Sequence, residues 1–152
     1  MTEVSQPIAA PVEKVWGVLA DGWTYAAWLV GASHIRSVDP GWPAVGSKIH
    51  HSVGSWPFVL DDVTAVVVME PTRMLELEAR MWPVGTAQVR LTLQPLGSDR
   101  TEVRMEEDLV DGPARQLPKR VQGMFFDPRN KESLRRLADH VEGRHRTHAR
   151  QS

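Results

Sequence analysis

The chain has 152 residues, 41% of them apolar, with 18 Lys and Arg against 19 Asp and Glu and no cysteine. At this length roughly two thirds of the unfolded surface can be buried, so one domain with a full core and an internal pocket fits and a second domain does not. The composition excludes thiol catalysis, thiolate metal sites and disulfide staples, and a formal net charge of -1 offers no basic field to nucleic acid. Residues 1–20 lack the regions of a signal peptide, no window approaches the ~20 apolar residues of a membrane span, and a cysteine-free chain suits the cytoplasm.

Val4, Gln6 and Ile8 share one side of an extended segment that ends before Pro11, a residue suited to a first helical turn. Val12, Val15, Trp16 and Leu19 then fall at i, i+3, i+4 and i+7, one face of a short helix stopped by Asp21-Gly22. Tyr25, Trp28 and Leu29 predict a second short helix over Trp23–Leu29. Beyond Gly31, alternating segments between Gly and Pro breaks predict strands at Ser33–Asp39, Ser47–Val53, Phe58–Met69, Arg73–Trp82, Thr86–Pro95 and Thr101–Leu109. With the N-terminal strand there are seven. Leu75, Leu77, Ala79 and Met81, then Val89, Leu91 and Leu93, then Val103, Met105 and Leu109 mark the dry face. Glu76, Glu78, Arg80, Arg90, Glu102, Arg104 and Glu106 alternate in sign on the solvated one.

Ala114–Asp127 has no clear period and reads as loop or broken helix. Asp127-Pro128 looks like a cap followed by a first-turn proline, and Leu134, Leu137, Ala138 and Val141 trace the stripe of a long helix before Gly143. Residues 145–152, rich in Arg and His, have nothing to bury and read as a disordered basic tail outside a domain over residues 1–144.

A sheet dry on one face must cover that face, and the long C-terminal helix is the element available. The expected fold class is therefore α+β: a curved seven-stranded antiparallel sheet wrapped around that helix, with two short helices after the first strand. Four stretches, "IAAPVEKVWGVLADGWTYAAWLVG" (Ile8–Gly31), "DPGWPAVGSKIHHSVGSWP" (Asp39–Pro57), "EEDLVDGP" (Glu106–Pro113) and "RNKESLRRLADHVEGR" (Arg129–Arg144), carry a resemblance. In these the chain resembles the START-like, or SRPBCC, superfamily of helix-grip proteins, and more narrowly its polyketide cyclase/dehydrase branch, widespread in actinobacteria. The resemblance implies a hydrophobic ligand tunnel between helix and sheet. Relatives include lipid carriers, hormone-binding proteins, aromatase/cyclases and co-chaperones, so fold alone does not select a function.

Strand parity singles out His51, Asp61 and Glu107 as polar side chains on the dry face, taking Ile49 and Val53, then Val59, Val63, Ala65 and Val67, and then Val103, Met105 and Leu109 as inward. Burying an unpaired carboxylate costs several kcal/mol, so Asp61 and Glu107 demand partners, water or a wet pocket. In one reading His51 and a carboxylate are an acid/base pair. In the other, His51 bonds to Glu107 or a backbone group and satisfies the interior. Leu77, Met81, Leu91 and Met105 of the sheet face the tunnel, as do Leu134 and Ala138 of the helix. Trp16 is read as core, while Trp28 and Trp56, with Trp23, Trp42 and Trp82, either rim the tunnel or seal its edge. Met124 and Phe125, with Phe126, are gate or plug. His50 and His51 project to opposite strand faces, and no ligand spacing predicts a metal.

The leading expectation is cofactor-free binding of a small hydrophobic or polycyclic molecule, lipid- or polyketide-like. The alternatives are a polyketide cyclase/dehydrase using His51 and Glu107 as acid and base, and a co-chaperone-like interaction module. Nucleic acid is not an expected partner, and the chain is expected to be a monomer or homodimer.

Overall fold

The computed structural model describes residues 2–30, 34–53, 60–81 and 85–151; at 53, 60, 61, 81, 148, 149 and 151 the description covers the backbone alone. In chain order the elements are β1 (Thr2–Ile8), α1 (Val12–Leu19), a 3-10 turn (Gly22–Thr24), α2 (Tyr25–Trp28) and β2 (His34–Val38), followed by β3 (Lys48–Val53), β4 (Leu60–Glu70), β5 (Met74–Met81), β6 (Gly85–Pro95) and β7 (Thr101–Asp111). A second 3-10 turn (Pro113–Gln116) leads into α3 (Lys119–Gln151). The strands form one antiparallel sheet in the order β1-β7-β6-β5-β4-β3-β2. Consecutive hairpins build β2 to β7, and only β1 crosses to the far edge, carried there by α1 and α2.

The strands follow the alternation that predicts them, with two corrections: Glu76, expected in solvent, is 6% exposed because Arg90 lies over it and donates to Oε1 at 2.9 and 3.1 Å, and β4 runs out of phase. On β4 the buried residues are Asp62, Thr64 and Val66, while Val63, Ala65 and Val67 are half-buried or exposed. The inward set expected from the valines is therefore reversed. The cause is a bulge: Val66 pairs with Leu77 but Val68 pairs with Glu76, leaving Val67 as the extra residue. Past it Met69 pairs with Leu75 and packs on the core, so the phase read from the valines holds only beyond the bulge.

The helix expected from Asp127 begins at Lys119 instead and absorbs most of the segment read as loop. Pro128 sits inside it, exposed, and the carbonyl it leaves without an amide partner belongs to Met124 on the solvent side, where water can bond it. At the other end the helix runs to Gln151 through the region read as a disordered tail. No proline interrupts it there, Gly143 is helical, and Thr147 Oγ1 donates to Gly143 O at 2.9 Å.

The α3 helix lies against β1, β7, α1 and α2. Leu134, Leu137, Ala138 and Val141 enter one core with Val4, Ile8, Leu91, Val103 and Met105. Burying each such leucine stabilises by about 1.5–3 kcal/mol. Ser133 Oγ accepts the Val30 amide at 3.0 Å and pins the chain after α2 to the same helix. The α1 C-terminus is closed by aromatics: the Tyr25 hydroxyl and the Trp42 indole both donate to Leu19 O, at 2.8 and 3.2 Å. Burial, and then Asp21, push the Tyr25 phenol far above its ordinary value, so it stays a donor. Its ring packs on Trp28 at 4.6 Å and edge-on to Trp42 at 5.5 Å. Trp28 and Trp42, expected either to rim the tunnel or to seal its edge, are core residues that seal this end, each indole N–H finding an acceptor in the interior. At the opposite end Gly85 opens β6 with φ of 137°, and an added Cβ would lie 2.0 Å from Asp111 O, so glycine alone permits β6 and β7 to close there.

Candidate functional site

Two polar stations interrupt the dry face. The first lies on β3 and β4. Alternation places His51 inward with Ile49, and both are buried. Its Nε2 is 3.1 Å from Thr64 Oγ1, while Nδ1 is enclosed and has no hydrogen-bond partner among the described residues. Asp62 is the cross-strand partner of His51 and is itself buried, with Oδ1 accepting the Val63 amide at 3.0 Å. The His51 pKa lies below the usual imidazole value, chiefly because burial penalises the cation; Asp62 pulls the other way, and Arg36 and His50 add to the lowering. The ring is therefore neutral near pH 7, with one nitrogen engaged and one idle.

The sheet around this station is small-featured. Thr64 pairs with Ala79, and Ala79 pairs with Ala87. Ala79 shares its face with Leu75 and Leu77 yet is only half-buried, whereas both leucines are enclosed. Ala79 is therefore reached by solvent on a face where Leu75 and Leu77 are not.

The second station lies under the first half of α3. Glu107, 1% exposed, accepts from Arg129 Nη2 at 2.7 Å on each carboxylate oxygen and from Asn130 Nδ2 at 2.8 Å. The Arg129 guanidinium stands 5.1 Å from the centroid of the Phe126 ring, which is buried with Ala87 and Leu109. Glu107 is a paired structural anion here. With its acceptor sites directed at two donors it is poorly placed to move a proton.

The expected pair is not assembled. His51 and Glu107 both face inward, but β4, β5 and β6 run between their strands, and each has other partners. Asp61 lies among the residues whose side chains are not described; Asp62 is the buried carboxylate beside His51. Of the expected lining residues, Leu77, Leu91, Met105, Leu134 and Ala138 are buried in the main core, as is Trp28. Met124 and Phe125 point outward at 73% and 60% exposure. The Met81 side chain and all of Trp56 lie outside the described residues. Sequence reasoning missed Asp62, Thr64, Arg129 and Asn130. The first two were hidden by the bulge, for which three successive valines, one more than strict alternation tolerates, are the available clue. The other two lie three and four residues beyond Phe126 on the helix's inward face, a spacing passed over because the stripe was traced through apolar residues only.

Elsewhere, a cleft of about 250 Å³ opens between α1 and the end of α3, lined by residues including Lys14, Gly17, Val141 and Arg144. Among the described residues no group of three or more His, Asp or Glu is arranged to hold a metal ion, and no helix is long and apolar enough to cross a membrane.

A family model described as "Polyketide cyclase / dehydrase and lipid transport" matches residues 1–142. Solved structures share the fold. Protein MLL2253 from Mesorhizobium loti is 24% identical, with 91% of this chain and 96% of that one covered and a TM-score of 0.63. The Zhui aromatase/cyclase from Streptomyces sp. R1128 is 20% identical, covering 94% and 93% at a TM-score of 0.69. Ara h 8.0201 is 13% identical, covering 91% and 95% at 0.64. No curated protein matches the chain. At these identities the likenesses establish the fold alone.

Proposed function

The chain belongs to the polyketide cyclase/dehydrase and lipid transport family, and from that premise we propose that it binds a small, mainly apolar molecule between α3 and the sheet, one oxygen of the ligand being held by His51. The observation that carries this reading is the enclosed Nδ1 of His51, without a hydrogen-bond partner among the described residues and beside Asp62 and Thr64. A buried polar atom left unpaired costs about 1–3 kcal/mol, and a ligand hydroxyl or carbonyl reaching it recovers that cost. Half-buried Ala79, the cross-strand partner of Thr64, leaves room next to it, and Leu77 supplies apolar wall. Binding of this kind requires no cofactor.

Paired probes test it. In tryptophan-fluorescence titrations 1-naphthol should bind more tightly than naphthalene, by roughly 5- to 150-fold if one enclosed hydrogen bond is gained. In His51→Phe the two should bind alike. Equal affinities in the unaltered protein would overturn the His51 anchor, and no saturable binding of either would overturn the ligand site.

A second reading is favoured by the same neutral ring. With a lowered pKa, His51 has a free base form at pH 7 that can take a proton from an enolisable ligand, Asp62 then facing the resulting cation. On this reading His51→Gln abolishes turnover of a confirmed substrate while retaining its binding, and Glu107 takes no part in proton transfer.

A further inference from the structure

The first turns of α3 carry an apolar face that the fold does not cover. Leu117, just before the helix, and Val121, Met124 and Phe125 within it are 49%, 42%, 73% and 60% exposed. Their spacing of three and four residues sets them along one side, while Gln122, Phe126 and Asn130 are buried on the other. Single exposed apolar residues are ordinary, but four contiguous ones, including a phenylalanine and a methionine, form a patch that marks an interaction surface. Cations border it. Arg115, Arg120 and Lys131 are exposed and make no ion pair among the described residues. Lys119, by contrast, is taken by Asp108, whose carboxyl it holds below the usual range by its hydrogen bond, and Arg129, Arg135 and Arg136 have carboxylate partners of their own. Along the chain this segment is flanked by Asp111, exposed at the end of β7, and half-buried Asp127.

We propose that this segment, centred on Met124 and Phe125 and rimmed by Arg115, Arg120 and Lys131, docks the protein on an anionic lipid surface. An apolar centre with a cationic rim complements the boundary where acyl chains meet acidic headgroups: the methionine and phenylalanine enter hydrocarbon while the cations stay at phosphate level. A second copy of the chain is a poorer occupant. A two-fold contact through the same patch brings two cationic rims into one contact and doubles its positive charge, whereas an acidic surface neutralises it. The docking is peripheral, and it does not rest on the ligand reading.

Co-flotation with vesicles tests it. The full chain should float with mixed phosphatidylcholine/phosphatidylglycerol vesicles at low ionic strength and lose that binding in high salt, with little on phosphatidylcholine alone. The double variant Met124→Ser/Phe125→Ser should lose at least about tenfold in partitioning. Arg120→Glu should cost roughly fivefold or more, since each cation near the surface contributes about that factor. His51→Phe should bind vesicles unchanged, which separates this surface from the interior site. Because the altered side chains are exposed, urea midpoints should not move. The proposal is overturned if neither vesicle type binds, if the double variant binds as well as the unaltered protein, or if sedimentation velocity shows the patch holding two copies together without vesicle binding.

Discussion

The two halves of α3 rest on the same sheet and hold to it by different physics. From Ser133 to Val141 the buried face is almost wholly apolar, and it meets β1, β7 and the two short helices in a core whose members are nearly all below a tenth exposed. From Lys119 to Asn130 the buried residues are Gln122, Phe126 and Asn130, with Arg129 beside them; Phe126 packs on Ala87 and Leu109, Lys119 pairs with Asp108, and the buried polar link is one carboxylate, Glu107, gripped by two side chains. Apolar packing tolerates small losses because it is spread over many contacts. A buried charge does not, because removing its partner leaves an anion where water cannot reach. The half that builds the stable grip is therefore closed and passive, while the other half, with its exposed outer face and the idle His51 across the sheet, is where binding can occur.

The sharpest break of that comparison is Arg129→Ala. Stranding Glu107 should cost about 3–5 kcal/mol in urea unfolding, and Glu107→Leu in the same background should restore much of it. A loss below about 1 kcal/mol would mean that solvent reaches the carboxylate and that the first half of α3 is not sealed by it. Leu137→Ala, in the apolar half, should cost about 2–5 kcal/mol and leave the naphthol-to-naphthalene preference in place, since it touches only the closed region. A selective loss of that preference would move the ligand into the half assigned to packing.

A smaller effect comes from pH. His51 and His140 both have lowered pKa values, burial being the larger cause in each; at His140, Arg144 adds to the lowering and Asp21 opposes it. The unfolded chain therefore binds protons that the native state refuses, so stability should fall as pH drops below about 6.5, the ordinary imidazole value, and be fully present above it. His51→Gln should flatten that slope without abolishing it, because His140 remains. A slope unchanged in His51→Gln would place the ring in contact with water. The smallest effect is expected at Met124→Ser, which should change stability by no more than about 0.5 kcal/mol, its side chain being largely in solvent already.

Much of this organisation is legible in residues taken one element at a time. Alternation in β5, β6 and β7 names their inward sides directly, and the buried rows Leu75–Leu77, Val89–Leu93 and Val103–Leu109 follow it. The stripe Leu134, Leu137, Ala138, Val141 likewise marks the helix face that is buried. Asp62 was not legible, because a one-residue bulge at Val67 reverses the phase of everything before it and the local pattern favours the wrong set. Nor was the start of α3: Asp127-Pro128 is chemically a good helix opening, and only the preceding turns, with Phe126 seated on Ala87 and Leu109, outweigh it.

By itself the sequence determined the order of elements, the existence of one dry sheet face with a helix to cover it, and the inward direction of His51 and Glu107, since each depends on periodicity within a single segment. Only the tertiary structure decided that Glu107 belongs to Arg129 and Asn130 while His51 keeps an idle nitrogen beside Asp62. Which polar groups meet depends on where one element crosses another, and no spacing along the chain encodes that distance.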